Sequence, residues 1–420
     1  MSLVKVENGP VFSSDDCHKI VTRCLQSKEY DLKRYYLEDL GDTGGFLGKY
    51  YRLNIEILVN NEVSFLRFFI KTLPKGAKVL TEMAELSFRK EQFMYECFFP
   101  KLQDLDFLTF TPKFYLCKLN EALVLEDLTE KGYRANETRN FLDYDDICST
   151  LKQLARLHAS TIVFEKRRSK ELGRVFRMDE AYKDYLFDVA LSRTGPTANL
   201  FDTAITTQAQ VAIRFPDIPK KMSMSEFQAR IIQNGHRMYE ITKKSTKYRN
   251  VICQGDMWPP NIMLKRNQEG VECCLVDYQL TRYCPLMFEL SFFLYICTRK
   301  RLRKDYMKEF LDRYYKEFGE VLKSCGIEVD DVYTYEQFLE SYYDIRPTTI
   351  SKALSYLQIG LLPPERLSLL RNDSKEFDYV LNVDRVGFYE KHNVFEDDIF
   401  RDTLRELYED LYDSFQGQLL

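Results

Sequence analysis

The chain has 420 residues, 45% of them apolar and 14% aromatic, and its 60 Lys and Arg against 64 Asp and Glu leave a formal net charge of −4. That balance supplies no overall electrostatic reason for nucleic-acid binding, and only 17 Gly and 13 Pro exclude collagen-like and Gly/Pro-rich disordered classes. Enough apolar material is present to bury a large core, in two or three structural units or one two-lobed catalytic domain.

In chain order, Met1 to Phe12 carries Lys5, Glu7 and Pro10 where a signal core would have to be apolar, so a cytoplasmic protein is expected. Phe46 to Val59 and Glu62 to Leu73, rich in β-branched and aromatic residues, read as two strands joined by a tight turn at Asn60-Asn61. A helix is predicted from Thr81 to Leu102. Lys113 to Lys118 and Ala122 to Glu126 form a second hairpin around Leu119-Asn120-Glu121. Its end marks the expected boundary between a β-rich lobe, residues 1–127, and a larger, mostly helical lobe, residues 128–420. The fold class is therefore α+β.

Tyr144 to Phe164 aligns Leu151, Leu154, Leu157 and Thr161 on one stripe, the pattern of a core helix in which His158 is structural by default. Asn250 to Asp256 is a short apolar segment ending in Gly-Asp. Two strand-like runs follow, Asn261 to Lys265 and Val271 to Asp277, joined by a turn over Arg266 to Gly270. Helical patterns at Pro285 to Thr298, Arg303 to Lys323, Tyr335 to Leu357 and Asp397 to Phe415 complete the chain. The 11 cysteines show no Cys-x-x-Cys spacing and only four histidines exist, so reduced thiols and no structural metal are expected.

Chemistry concentrates in Cys253-Gln254-Gly255-Asp256-Met257-Trp258-Pro259-Pro260-Asn261 and, across the hairpin, Val276-Asp277-Tyr278-Gln279. Antiparallel pairing brings Asp277 back beside Asn261. A carboxylate and an amide oxygen suit Mg²⁺, which takes hard oxygen ligands, leaving Asp256 to accept a proton from an attacking hydroxyl. Asp256 and Asn261 also suit plain turn caps. Lys71 ends the apolar run Phe65 to Ile70, and Glu91, on the next helix, can reach back to orient it toward nucleotide phosphates; otherwise the two are an ordinary strand-end lysine and one member of a charged helix face. The cluster Gly41-Asp42-Thr43-Gly44-Gly45 precedes the strand that pairs with the one carrying Lys71, where Gly44 and Gly45 let backbone amides approach phosphates or simply form a turn.

The order of these parts resembles the protein-kinase-like fold of small-molecule phosphotransferases, and over roughly Cys24 to Glu320 the chain is similar to the ecdysteroid-kinase-like family, relatives of choline kinases and aminoglycoside phosphotransferases. The resemblance is carried also by Leu154-Ala155-Arg156-Leu157-His158-Ala159 and by Val276-Asp277-Tyr278-Gln279-Leu280-Thr281-Arg282-Tyr283. It implies transfer of the ATP γ-phosphoryl group to a hydroxyl of a small, apolar or steroid-like molecule. By that analogy Lys71 binds phosphates, Glu91 orients it, Asp256 is the base, and Asn261 and Asp277 hold magnesium. Glu126-Asp127-Leu128 presents main-chain groups to adenine. Three positions depart from the family pattern: Gln254 replaces the histidine of His-Gly-Asp, Pro260 the first of two asparagines, and Glu289 an aspartate. Gln254 keeps a hydrogen-bonding capacity without a histidine's charge. A second reading is therefore a catalytically weak protein that binds nucleotide or sequesters an apolar ligand.

Overall fold

A computed structural model describes residues 11–41, 49–73, 78–188, 190–195 and 197–417, without the side chains of 78–83. Gly44 and Gly45 lie outside the described residues.

Helix α1 (Ser14–Leu25) opens with a capping box between Ser13 and Asp16. It lays Cys17, Ile20 and Val21, spaced for one helical face, on a five-stranded antiparallel sheet. The sheet contains β1 (Asp31–Asp39), β2 (Lys49–Val59), β3 (Glu62–Thr72), β4 (Phe114–Lys118) and β5 (Ala122–Glu126) in the order β1-β2-β3-β5-β4. Neither α1 nor β1 was among the elements expected from the sequence, because both carry many charged residues. Val59 pairs with Glu62 across Asn60 and Asn61, whose φ values of 53° and 65° are the left-handed turn that twists with the strands.

Strand alternation then sorts the faces. Tyr51, Leu53, Ile55, Ile57, Phe68 and Ile70 join the core under α1, so Lys71 points to the opposite face. There α2 (Lys78–Phe93) brings Glu91 to it. The helix predicted to run to Leu102 changes character first: a π turn at Met94–Phe98 and a 3₁₀ turn at Phe99–Leu102 replace the last α turns. Pro100 lacks the N–H that a continuing α-helix needs.

After the short β6 (Arg134–Ala135) the chain is largely helical. The long α3 (Tyr144–Leu172) has its own capping box, Asp143 with Asp146. It is followed by α4 (Met178–Ala181), α5 (Lys183–Leu186), α6 (Ala198–Ala212), α7 (Met224–His236) and α8 (Met238–Ile241). Strand β7 (Asn250–Cys253) pairs with β10 (Arg282–Pro285), and between them lies the hairpin β8 (Ile262–Asn267) and β9 (Gly270–Leu275). Its turn is tighter than expected: Asn267 pairs with Gly270, leaving only Gln268-Glu269 in the loop, because Gly270 takes φ 129°.

The remaining helices are α9 (Leu286–Cys297), α10 (Lys300–Ser324), α11 (Tyr335–Gly360), α12 (Pro364–Asn372), α13 (Ser374–Asn382), α14 (Val386–Lys391) and α15 (Asp398–Phe415). Every residue of α9 is buried; it packs against α11, and α11 against α15. All eleven cysteines are free thiols, and among the described residues no helix is long and apolar enough to cross a membrane.

Candidate active site

Three segments meet beneath the sheet. From β3, the Lys71 ammonium donates to Glu91 Oε2 at 2.5 Å, Asp277 Oδ1 at 2.7 Å and Gln279 Oε1 at 3.2 Å. Burial pushes the Lys71 pKa down, but Asp277 and Glu91 outweigh it and hold it above its ordinary value. Glu91 also accepts from the Tyr278 N–H at 3.1 Å, so one carboxylate on α2 fixes both the lysine and the main chain beside Asp277. The sequence spacing foresaw the Lys71 and Glu91 pair; the direct contact of Lys71 with Asp277, 206 residues away, comes only with the tertiary fold.

The second segment is the loop after β7. Gly255 has φ 93°, and a Cβ there would stand 2.0 Å from the Leu280 carbonyl oxygen, so only glycine fits. Asn261 Nδ2 donates to both the carbonyl oxygen and Oδ2 of Asp256, each at 3.0 Å, closing the loop into a clasp. Asp256 is thus held as a turn residue and kept inside the site at once. Its Oδ1 is buried without a hydrogen bond of normal geometry, and the Tyr356 hydroxyl lies against the carboxylate. Burial, then the Asp277 charge, push the Asp256 pKa up to about 6, against the pull of Lys352, Tyr356 and Arg282.

The third segment follows β9. Val276 N–H donates to the Asn261 carbonyl at 3.1 Å, extending the pairing of Ile262 with Leu275, so Asp277 emerges beside Asn261 as the antiparallel geometry requires. Asp277 has φ 64°, a strained conformation that aspartate tolerates better than most residues.

Gln254 ties the second segment to the third. Fully buried, it donates from Nε2 to the carbonyls of Val276 at 2.7 Å and Asp277 at 2.8 Å, and accepts from the Asp256 N–H at 2.7 Å. Glu289 of α9 secures the same loop from behind, accepting from the N–H groups of Gln254 at 2.9 Å and Gly255 at 2.6 Å. His158 lies 2.9 Å from Glu289 Oε2 and 2.6 Å from the Tyr314 hydroxyl. His158, Cys253 and Glu289 are the one group of three His, Cys, Asp or Glu side chains among the described residues gathered closely enough to share a metal ion, but both ring nitrogens and both carboxylate oxygens are already hydrogen-bonded, so the group braces the loop.

Glu126 and Leu128 lie further along the sheet. Lys71 pairs with Leu123 and Phe68 with Glu126, a three-residue offset that separates the end of β5 from Lys71 by about 10 Å. Glu126 pairs with Lys131, Asp127 caps the turn at Leu128–Lys131, and the Leu128 carbonyl accepts from Tyr133 N–H at 3.1 Å. Two site residues escaped the sequence reading, Lys352 and Tyr356 of α11. A lone lysine in Thr348-Thr349-Ile350-Ser351-Lys352-Ala353-Leu354 was the available signal.

A sequence profile of the ecdysteroid kinase-like family matches residues 42–327. The chain belongs to that family, whose members are small-molecule kinases. No curated protein matches the chain. Among solved structures it is similar to an ethanolamine kinase from Plasmodium vivax, at 11% identity and TM-score 0.40 over 88% of this chain and 83% of that one. The choline kinase LicA from Streptococcus pneumoniae gives 13% identity and TM-score 0.38 over 94% and 98%. An aminoglycoside phosphotransferase from Alicyclobacillus acidocaldarius gives 14% and 0.38 over 85% and 90%. These distant similarities carry no residue role.

Proposed function

We propose that the chain is an active ATP-dependent kinase that moves the γ-phosphoryl group to a hydroxyl of an apolar, steroid-like metabolite, with residues 1–127 and 128–420 acting as two lobes around the nucleotide. The observation that carries this reading is the convergence of Lys71, Glu91 and Asp277 on one ion-paired centre, joined through Gln254 to the Asp256–Asn261 clasp. The offset along β5 suits a nucleotide with its base at Glu126-Asp127-Leu128 and its phosphates at Lys71.

The donor set fits magnesium: Asp277 offers a carboxylate, and Asn261, whose Nδ2 is turned to Asp256, presents its amide oxygen the other way. Magnesium, when bound, neutralises phosphate charge. Lys71, steadied by Glu91, draws the phosphates toward the sheet. Asp256, half-protonated near pH 6 and mostly ionised at pH 7, takes the proton as the acceptor oxygen bonds to Pγ and the bond from Pγ to the bridging oxygen breaks. The rest of the rate comes from positioning.

The test is ATP consumption by the purified protein against steroids, amino alcohols and glycosides, with melting temperature read with and without Mg-ATP. Turnover with an apolar alcohol and a Mg-ATP shift are expected. A folded protein that binds Mg-ATP but turns over no acceptor is instead a nucleotide-binding protein.

A further inference from the structure

Helix α11 carries a single cation into the wall of the site. Lys352 is 1% exposed, and its Nζ lies 3.6 Å from the ring centroid of Phe292, 4.8 Å from that of Phe288 and 5.3 Å from that of Tyr356. Its hydrogen bond is long, 3.5 Å to the Gly255 carbonyl, one residue before Asp256. The box is built: Tyr356 packs edge-on against Phe292 and Trp258, and its hydroxyl lies against Asp256. Three rings around an ammonium is the arrangement by which proteins hold cationic ligands. Here the ammonium belongs to the protein.

We propose, resting on the phosphotransferase reading above, that Lys352 is a specificity-determining residue: its tethered ammonium fills the aromatic box beside the base, so the kinase rejects acceptors with a positive charge near the reacting hydroxyl. Both bulk and charge act. The aliphatic stem and amine occupy the space an acceptor's ammonium would need. The charge repels a second cation, and at about 6 Å and an effective permittivity of about 20 that repulsion is worth roughly a hundredfold in kcat/KM as long as the lysine keeps its proton. Burial, then the Arg282 charge, bring the Lys352 pKa down to about 7, against the pull of Asp256, Glu289 and Asp188, which favour the charged lysine. Arg282 is itself buried and lies 2.6 Å from Asp188. The charge part of the discrimination is therefore full only near pH 5 and falls to about twofold at pH 7, where a bound cation expels the lysine's proton, and the steric part persists.

The experiment compares choline with its uncharged carbon isostere, 3,3-dimethylbutan-1-ol, as acceptors for the parent and for Lys352→Met, with Lys352→Gln as the second variant should the first not fold. Phosphorylation is measured alongside the melting shift each alcohol induces in the presence of Mg-ATP. The parent should favour the isostere over choline, and the substitution should raise kcat/KM or binding for choline, moving the ratio toward the cation by about a hundredfold at pH 5 and by less at pH 7, where the steric part dominates. Two results overturn the proposal: a parent that uses choline as well as the isostere, or a folded, Mg-ATP-binding variant with no gain for choline. The first of these leaves the kinase reading standing. The kinase reading fails separately, if the parent shows neither a Mg-ATP shift nor turnover with any acceptor.

Discussion

Gln254→His, which installs the histidine of the His-Gly-Asp pattern that the chain resembles, tests how the loop after β7 is held. Gln254 makes three buried hydrogen bonds, two donated from one nitrogen to the carbonyls of Val276 and Asp277 and one accepted from the Asp256 N–H. A neutral imidazole has one donor and one acceptor on opposite edges of the ring. The substitution therefore preserves at most two of the three bonds and strands one carbonyl. At about 1 kcal/mol for a lost bond, and up to about 3 kcal/mol where a buried group is left unpaired, the variant should lose about 1–3 kcal/mol of unfolding free energy. Because one donor and one acceptor remain, the loop stays oriented and turnover should change less than tenfold. Urea unfolding and steady-state phosphorylation with a common acceptor give the two numbers. An inactive parent rescued by the histidine would refute the reasoning and make Gln254 the mark of a pseudoenzyme.

Asp256→Asn should cut turnover by about 10²–10⁴-fold and, without metal or nucleotide, raise stability at pH 7. Asp256 has a folded pKa of about 6 against 3.8 for the free group, so its ionised form is disfavoured by folding. The gain, at most about 3 kcal/mol, should be full above pH 6 and absent below pH 4, as read by urea unfolding across pH; equal stability of both proteins at pH 7 would count against the assignment. Lys71→Met leaves Glu91 and Asp277 buried without their cation and should cost about 3–5 kcal/mol; Asp277→Asn should instead keep most of the stability and lose the magnesium dependence of nucleotide binding, measured by calorimetry. Gly255→Ala should yield little folded protein, since its Cβ meets the Leu280 carbonyl at 2.0 Å; a normally folded, active variant would show that the loop takes another path.

Much of the molecule was legible in local pattern. The β2–β3 hairpin could be read from Asn60-Asn61 between two apolar runs, because asparagine accepts the left-handed turn at little cost. The core helix α3 and the helices α9, α10, α11 and α15 showed in their sequence pattern; Lys71, Asp256, Asn261 and Asp277 could be named because each stands at a break between an apolar run and a turn, and Glu91 because it lies on the helix that follows Lys71. Antiparallel pairing of the hairpin β8–β9 was enough to bring Asp277 to Asn261. Charge-rich α1 and β1 stayed hidden, since their buried residues are few and count only against a sheet that the sequence does not display. The same limit applies to the site. Whether Lys71 reaches Asp277, whether Glu289 faces the Gly255 amide or solvent, and whether Lys352 is a surface charge or the occupant of an aromatic box depend on contacts across 206, 34 and 97 residues. Side-chain type and spacing decide local geometry; only the packing of α9 and α11 against the loop decides which buried charge meets which partner, and therefore which groups the site can use.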